Sequence, residues 1–194
     1  MDTVAYNFCH EVFAALRTLP TVRQFPAELQ TWNAALKTHA KHRVMLTVNF
    51  NLCRRNNTWG CSMWARANGN TWKVEKIEVL NQKYLCVAVI QFNSFVVHDA
   101  LGKDGVVKVL KSIRHLKVES LQLALFNAPS EEMKEILSTL NGCSIEQISV
   151  WFYLDAFADF LRFQKESCET EIYLNPHCRN DLIAEFSHNP RKKN

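Results

Sequence analysis

The sequence predicts an α/β chain: a short N-terminal helical segment, an antiparallel strand meander, then irregular leucine-rich-like βα repeats. Three observations carry this expectation. Between Val118 and Leu174 apolar residues alternate in short runs, at Leu121, Leu123 and Leu125, at Ile148 and Val150, and at Ile172 and Leu174, as in half-buried strands. Between those runs the spacing becomes that of amphipathic helices, with Met133, Ile136, Leu137 and Leu140 in one and Leu154, Phe157, Ala158 and Leu161 in the next. Strand starts recur at roughly 25-residue intervals, a period typical of solenoid-like βα arrays.

The remaining elements follow in order. Residues 4–16 read as a helix with Phe8, Val12 and Leu16 on one stripe, widened by Cys9 and Phe13, and stopped by Leu19-Pro20. Pro26 and Glu28 suit the first turn of a second helix, which carries Leu29, Trp32 and Leu36 inward and runs to about His42. From Val44 the period is two, with Leu46, Val48, Phe50 and Leu52 facing one way and Thr47, Asn49 and Asn51 the other. A two-residue turn at Asn56-Asn57 would pair Leu52 with Cys61, Phe50 with Met63 and Val48 with Ala65. Asn68-Gly69 marks a second hairpin, and Asn81-Gln82 a third between Ile77–Leu80 and Tyr84–Phe92. After a connection over residues 94–104, Val106, Leu110 and Ile113 define a helix that leads into the array, and Leu182, Ile183 and Phe186 a last short one. The tail after Pro190 reads as disordered.

A chain of 194 residues is expected to bury about 70% of its unfolded surface in one domain or two small packed ones. The boundaries fall at 1–43 for the helical head and 44–194 for the α/β region (44–93 the meander, 103–189 the βα repeats), packed as one unit. Five Gly and five Pro argue against low complexity. The formal charge of +4 sits partly in Arg191, Lys192 and Lys193, which is weak support for nucleic acid. No apolar run approaches the roughly 18 residues of a membrane span. The N-terminus has no basic stretch before an apolar one, so the seven scattered cysteines read as reduced thiols of an intracellular protein, cytoplasmic or nuclear.

Candidate chemistry is sparse. His39 and His42 have a zinc-compatible spacing, yet no CxxC or second histidine pair completes four ligands, and a solvated basic helix end explains them. His98-Asp99 with Ser94 or Cys86 lacks any nucleophile motif. Cys53 and Cys61 flank the first turn, but the alternation puts them on opposite faces. Neither catalytic residues, a metal nor a cofactor are expected. Arg54, Arg55, Trp59, Trp64, Arg66, Trp72 and Lys73 interleave aromatic and basic residues, the pattern of base-stacking sheets. Trp59 and Trp72 fall on the apolar face; Trp64 and Arg66 fall on the outer one and form the candidate ligand surface, better suited to a protein than to nucleic acid.

The head resembles the degenerate F-box-like opening of a large family of nematode proteins, whose N-terminal box precedes an F-box-associated region. The residues that carry the likeness are Met1-Asp2-Thr3-Val4-Ala5-Tyr6, Phe8-Cys9, Val12 and Leu16, then Leu29, Trp32, Ala35 and the basic run His39 to Arg43. The usual opening Leu-Pro pair aligns with Val4-Ala5, so the proline is absent, while Trp32 lies at a fitting distance. The resemblance covers 43 of 194 residues. It implies a non-enzymatic adaptor: the head, through Val4, Phe8, Val12, Leu16 and Trp32, would dock on the Skp adaptor of a cullin–RING ubiquitin ligase while the remainder captures a target protein. An alternative role for the head is an internal cap over the open end of the sheet.

Overall fold

Alternating apolar residues make Val44–Cys53 (β1) the first strand of the hairpin region. The computed structural model describes residues 4–16, 19–20, 26, 28–53, 55–95, 100–167, 170–178 and 180–186. Residues 1–3, Arg54, His98, Asp99 and 187–194, on which parts of the sequence reading fall, lie outside these. β1 pairs antiparallel with Thr58–Ala67 (β2), and β2 with Asn70–Val74 (β3). The register differs from the expected one by two residues: Leu52 faces Trp59, Phe50 faces Cys61 and Val48 faces Met63. The hairpin's last pair is Cys53 with Thr58, in place of a two-residue turn. Asn57 takes the left-handed conformation there (φ 49°), and the Asn56 side chain accepts the Thr58 hydroxyl at 2.7 Å. A shift of two leaves every side chain on its expected face, because the pleat also repeats every two residues. At Asn68-Gly69 both φ angles are positive, 51° and 79°, as a type I′ hairpin requires, and Ala67 pairs with Asn70.

The third hairpin does not form. Ile77–Val79 and Gln82–Tyr84 are single 3-10 turns that carry the chain back across the sheet. Ile77, expected in a strand, instead buries its side chain as an anchor of this connection. The next strand, Leu85–Asn93 (β4), therefore lies parallel to β1. From here strands and helices alternate: Lys103–Ile113 (α3 in chain order), Val118–Ala124 (β5), Ser130–Ser138 (α4), Ile145–Val150 (β6), Ala158–Ser167 (α5) preceded by the 3-10 turn Asp155–Phe157, Glu171–Leu174 (β7) and Asn180–Phe186 (α6). The result is one mixed seven-stranded sheet, in the order β3-β2-β1-β4-β5-β6-β7.

β4 to β7 are parallel and adjacent in sequence order, so crossovers of one hand place all the connecting helices on the same face. Burial agrees. Phe92, Leu121, Leu123, Ile148 and Val150 form one cluster with Leu110 and Ile113 of α3, Ile136 and Leu137 of α4, and Phe157 and Leu161 of the α5 region. Each such side chain stabilises the fold by about 1.5–3 kcal/mol. The opposite face shows half-exposed Thr47, Asn49, Gln91, Gln122 and Ser149. Trp59 is fully buried and donates its indole N–H to Glu132 of α4 at 2.6 Å. Trp59→Phe keeps an aromatic side chain but deletes that donor and one ring of the buried indole; a loss of at least about 1.5–3 kcal/mol in denaturant unfolding is expected, and an unchanged midpoint would show that the bond contributes nothing. Trp72, read as core, is instead exposed. It lies on β3, the outermost strand, with a neighbouring strand on one side only.

The head consists of Tyr6–Ala15 (α1) and Gln30–His42 (α2). The second helix starts later than Pro26 and Glu28 suggest: the Leu29 N–H and the Asn33 amide both donate to the Pro26 carbonyl, holding a turn ahead of it. The buried side of α2 is Ala35, Leu36 and His39, with Leu29 and Trp32 only half covered. Cys9, Phe13, Ala35 and Leu36 form a small core of their own. This pair rests against the amino-terminal ends of β4 and β5. Lys117 Nζ donates to the Ala15 carbonyl at 3.0 Å, Arg43 donates to the Leu16 carbonyl at 2.6 Å and lies 4.0 Å from Glu119, and the Asn68 amide donates to the Lys41 carbonyl at 3.1 Å. Among the described residues, no helix is long and apolar enough to cross a membrane.

Candidate functional site

Helix α1 has two apolar sides, one turned to the core and one largely exposed. Cys9, His10 and Phe13 turn inward. Val4 just before the helix, Phe8 on it and Leu16 just after it remain exposed, Phe8 at 57%. Val12 is half-buried between the two sides. Trp32 reaches across from α2, its ring set edge-on to Phe8 at 6.0 Å and to Phe13 at 5.6 Å. The structure thus joins Phe8 to Trp32 and leaves Val4 and Leu16 near the two ends of the same helix. An exposed phenylalanine backed by a tryptophan is the composition of a binding hot spot more than of a solvated surface.

Between the head and the body lies a cluster that sequence reasoning placed wrongly. His39, expected at a solvated helix end, is 1% exposed. Its Nε2 lies 3.0 Å from His10 Nδ1 and 2.9 Å from the His10 carbonyl, and His10 Nε2 lies 3.3 Å from the Tyr84 hydroxyl. One neutral assignment satisfies all three contacts: Nε2–H of His39 donates, Nδ1 of His10 accepts, and Nε2–H of His10 donates to Tyr84. Burial, and then the neighbouring His10, push the His39 pKa down to about 4; burial, and then Lys83, lower that of His10. His39 and His42 both lie against the Tyr84 ring, at 5.4 and 5.3 Å. Among the described residues no group of His, Cys, Asp or Glu side chains could hold a metal ion.

The other candidates separate in the same way. Cys86 is the second residue of β4 and Ser94 follows its last, so they lie at opposite ends of one strand, and Ser94 Oγ sits 3.5 Å from the Phe126 N–H. Cys53 belongs to the open face and Cys61, opposite Phe50, to the covered one; burial raises the Cys61 thiol to about 11, which makes it inert. Cys53, Cys61, Cys86 and Cys178 are free thiols.

Trp64 and Arg66 are exposed on the open face of β2, where Trp64 pairs with Thr47 and Lys73, and Arg66 with Met45 and Thr71. Arg66 also lines a groove of about 640 Å³ together with Arg43 and Glu119. A larger aromatic feature was missed. Phe95, Phe126, Trp151 and Tyr173 are exposed at the carboxyl-terminal side of the open face. The signal was in the sequence: the outward alternation Gln122, Ala124 and Gln147, Ser149 continues, two residues on, to Phe126 and Trp151. Comparison of the chain with protein-family models, with curated proteins and with solved structures gave no match.

Proposed function

We propose that this chain is a non-enzymatic protein-interaction module, acting as a substrate-recognition adaptor of an SCF-type cullin–RING ubiquitin ligase. The observation that carries it is the second apolar side of α1. Val4, Phe8 and Leu16 stay exposed although the helix already has a packed face of Cys9, His10 and Phe13. In this reading Val4, Phe8, Val12, Leu16 and Trp32 contact the Skp adaptor, and the sheet with its helices holds the target. The mechanism is binding energy and proximity, with no catalytic residue of its own. The finer description of the βα array as leucine-rich-like repeats belongs to the same proposal.

A second reading, a stand-alone binding protein with a structural head, is favoured by one observation. The head closes on the body through His10, Tyr84 and the Lys117 bond to Ala15. The two readings diverge at Phe8. Because its ring is mostly exposed, Phe8→Glu keeps the chain folded. In a pull-down of the full chain, wild type retains the Skp adaptor and a cullin, and Phe8→Glu reduces that retention at least about tenfold, the effect of removing a hot spot. A well-folded wild-type chain that retains neither protein removes the adaptor reading and leaves the stand-alone one.

A further inference from the structure

The open face of the sheet ends in an aromatic band whose geometry follows from strand register. Asn93 of β4 pairs with Ala124 of β5, and Phe95 and Phe126 each follow two residues past that pair. Leu125 between Ala124 and Phe126 is fully buried, which keeps the alternation intact past the strand end. Trp151 follows Val150, and its N–H still donates to the Leu123 carbonyl at 2.9 Å, so the ladder between β5 and β6 continues to that level. Tyr173 pairs with Ser149 inside β7. The four rings therefore slant across four neighbouring strands, at exposures of 67%, 36%, 52% and 51% in chain order. Phe152 packs on Phe126 at 5.1 Å and extends the patch. At about 4.8 Å between strands, and with a stagger of four residues along them, the band is roughly 20 Å long, the reach of about six extended residues.

Beneath the band runs a row of uncharged polar side chains in register: Asn49, Gln91, Gln122 and Ser149, meeting Tyr173 at the end. Gln91 donates to Gln122 across the strands at 2.6 Å. Amides carry both donors and acceptors, which matches the alternating N–H and C=O of a peptide backbone. The charge on these strands has one sign. β4 to β7 contain no lysine or arginine, and their ionised residues are Glu119, Glu146 and Glu171. The first two lie beside Arg43 and Lys117 at the amino-terminal end, while Glu171 accepts the Tyr173 hydroxyl at 2.9 Å, at the end of the band. Among the described residues of these four strands, phosphates would meet no cation. Lysine and arginine would meet aromatic faces and a carboxylate, both favourable to them.

We propose that this band and the amide row form the docking surface for an extended protein segment that combines apolar and basic side chains. The proposal rests on the reading of the chain as a protein-binding module and specifies where and what it binds. It is tested by panning a phage-displayed library of random short peptides on the full-length chain. The enriched peptide, fluorescein-labelled, is then measured by anisotropy against wild type, Trp151→Ser, Tyr173→Ser and the remote control Val79→Ser.

The expected result is enrichment of peptides that alternate apolar residues with Lys or Arg. Affinity falls at least about tenfold in each band variant and stays unchanged in the control. No enrichment, enrichment of acidic peptides, or equal affinity for both band variants and wild type overturns the proposal. So does tighter binding of a uridine oligonucleotide that is lost in Trp151→Ser. Skp-adaptor retention, read on the same wild-type protein, keeps the two readings apart. Its absence with peptide binding intact removes only the adaptor role; its presence without enrichment removes only this surface.

Discussion

Leu121→Asp is expected to abolish the cooperative fold. Leu121 is fully buried and pairs with Ile90 on one side and Ile148 on the other, at the centre of the parallel strands. Removing the side chain alone costs about 2–5 kcal/mol. A carboxylate put in its place has no cation within the apolar cluster that surrounds it, and burying it uncompensated costs several kcal/mol more. The sum is comparable to the roughly 5–15 kcal/mol that holds a typical domain together. Ile148→Asp and Leu137→Asp meet the same cluster from the next strand and from the covering helix, and share the outcome. Ala124→Asp is the control: it introduces the same charge on β5, three residues away, but on the open face where water reaches it. Thermal unfolding followed by circular dichroism should show no transition for the three core variants and a near-wild-type one for Ala124→Asp. Soluble, cooperatively melting Leu121→Asp would mean that the core lies elsewhere.

That facing was readable because alternation is a local property. Leu121, Leu123 and Leu125 point inward whatever lies beside them, and the two-residue change in the β1–β2 register left Phe50 and Leu52 on the face expected of them. Partner choice is not local. Ile77 and Leu80 have the composition of a strand, yet the chain uses them to cross the sheet, because β4 gains more by lying parallel to β1 between two neighbours than by extending the outer edge beyond β3. Exposure on helices was legible only in part. The Phe8, Val12 and Leu16 stripe was visible by spacing, but which of the two apolar sides of α1 faces the body depends on Tyr84, some 70 residues away in sequence. His39 failed for the same reason: a basic helix end looks solvated until the segment that covers it is known. The aromatic band was hidden by a change of element, since Phe126 and Trp151 sit just past the strands whose alternation orients them.

Lowering the pH from about 7.5 to 4.5 is expected to loosen the chain through the head, and His39 to account for a separable part of the loss. In the folded protein its pKa is pushed from 6.5 to about 4, first by burial and then by the His10 ring, while His10 is itself lowered by burial and by Lys83. A histidine lowered on folding binds its proton in the unfolded state first, so stability rises with pH. The contribution is fully present above pH 6.5 and declines as pH falls through the interval down to about 4. Its size follows from about 1.36 kcal/mol per unit, on the order of 2–3 kcal/mol. Burial is the main cause for His39, and protonation of His10 would add to the loss: an N–H on its Nδ1 would face the Nε2–H of His39 at 3.0 Å, so two donors would oppose each other where one donor and one acceptor now meet. Carboxylates also titrate below pH 5, which is why the comparison must be a difference. Denaturant unfolding of wild type and His39→Gln should show the variant less stable at pH 7.5, the gap narrowing steadily to pH 4.5. A gap that stays constant across that range would mean that His39 is solvated in solution and that the head does not close over it.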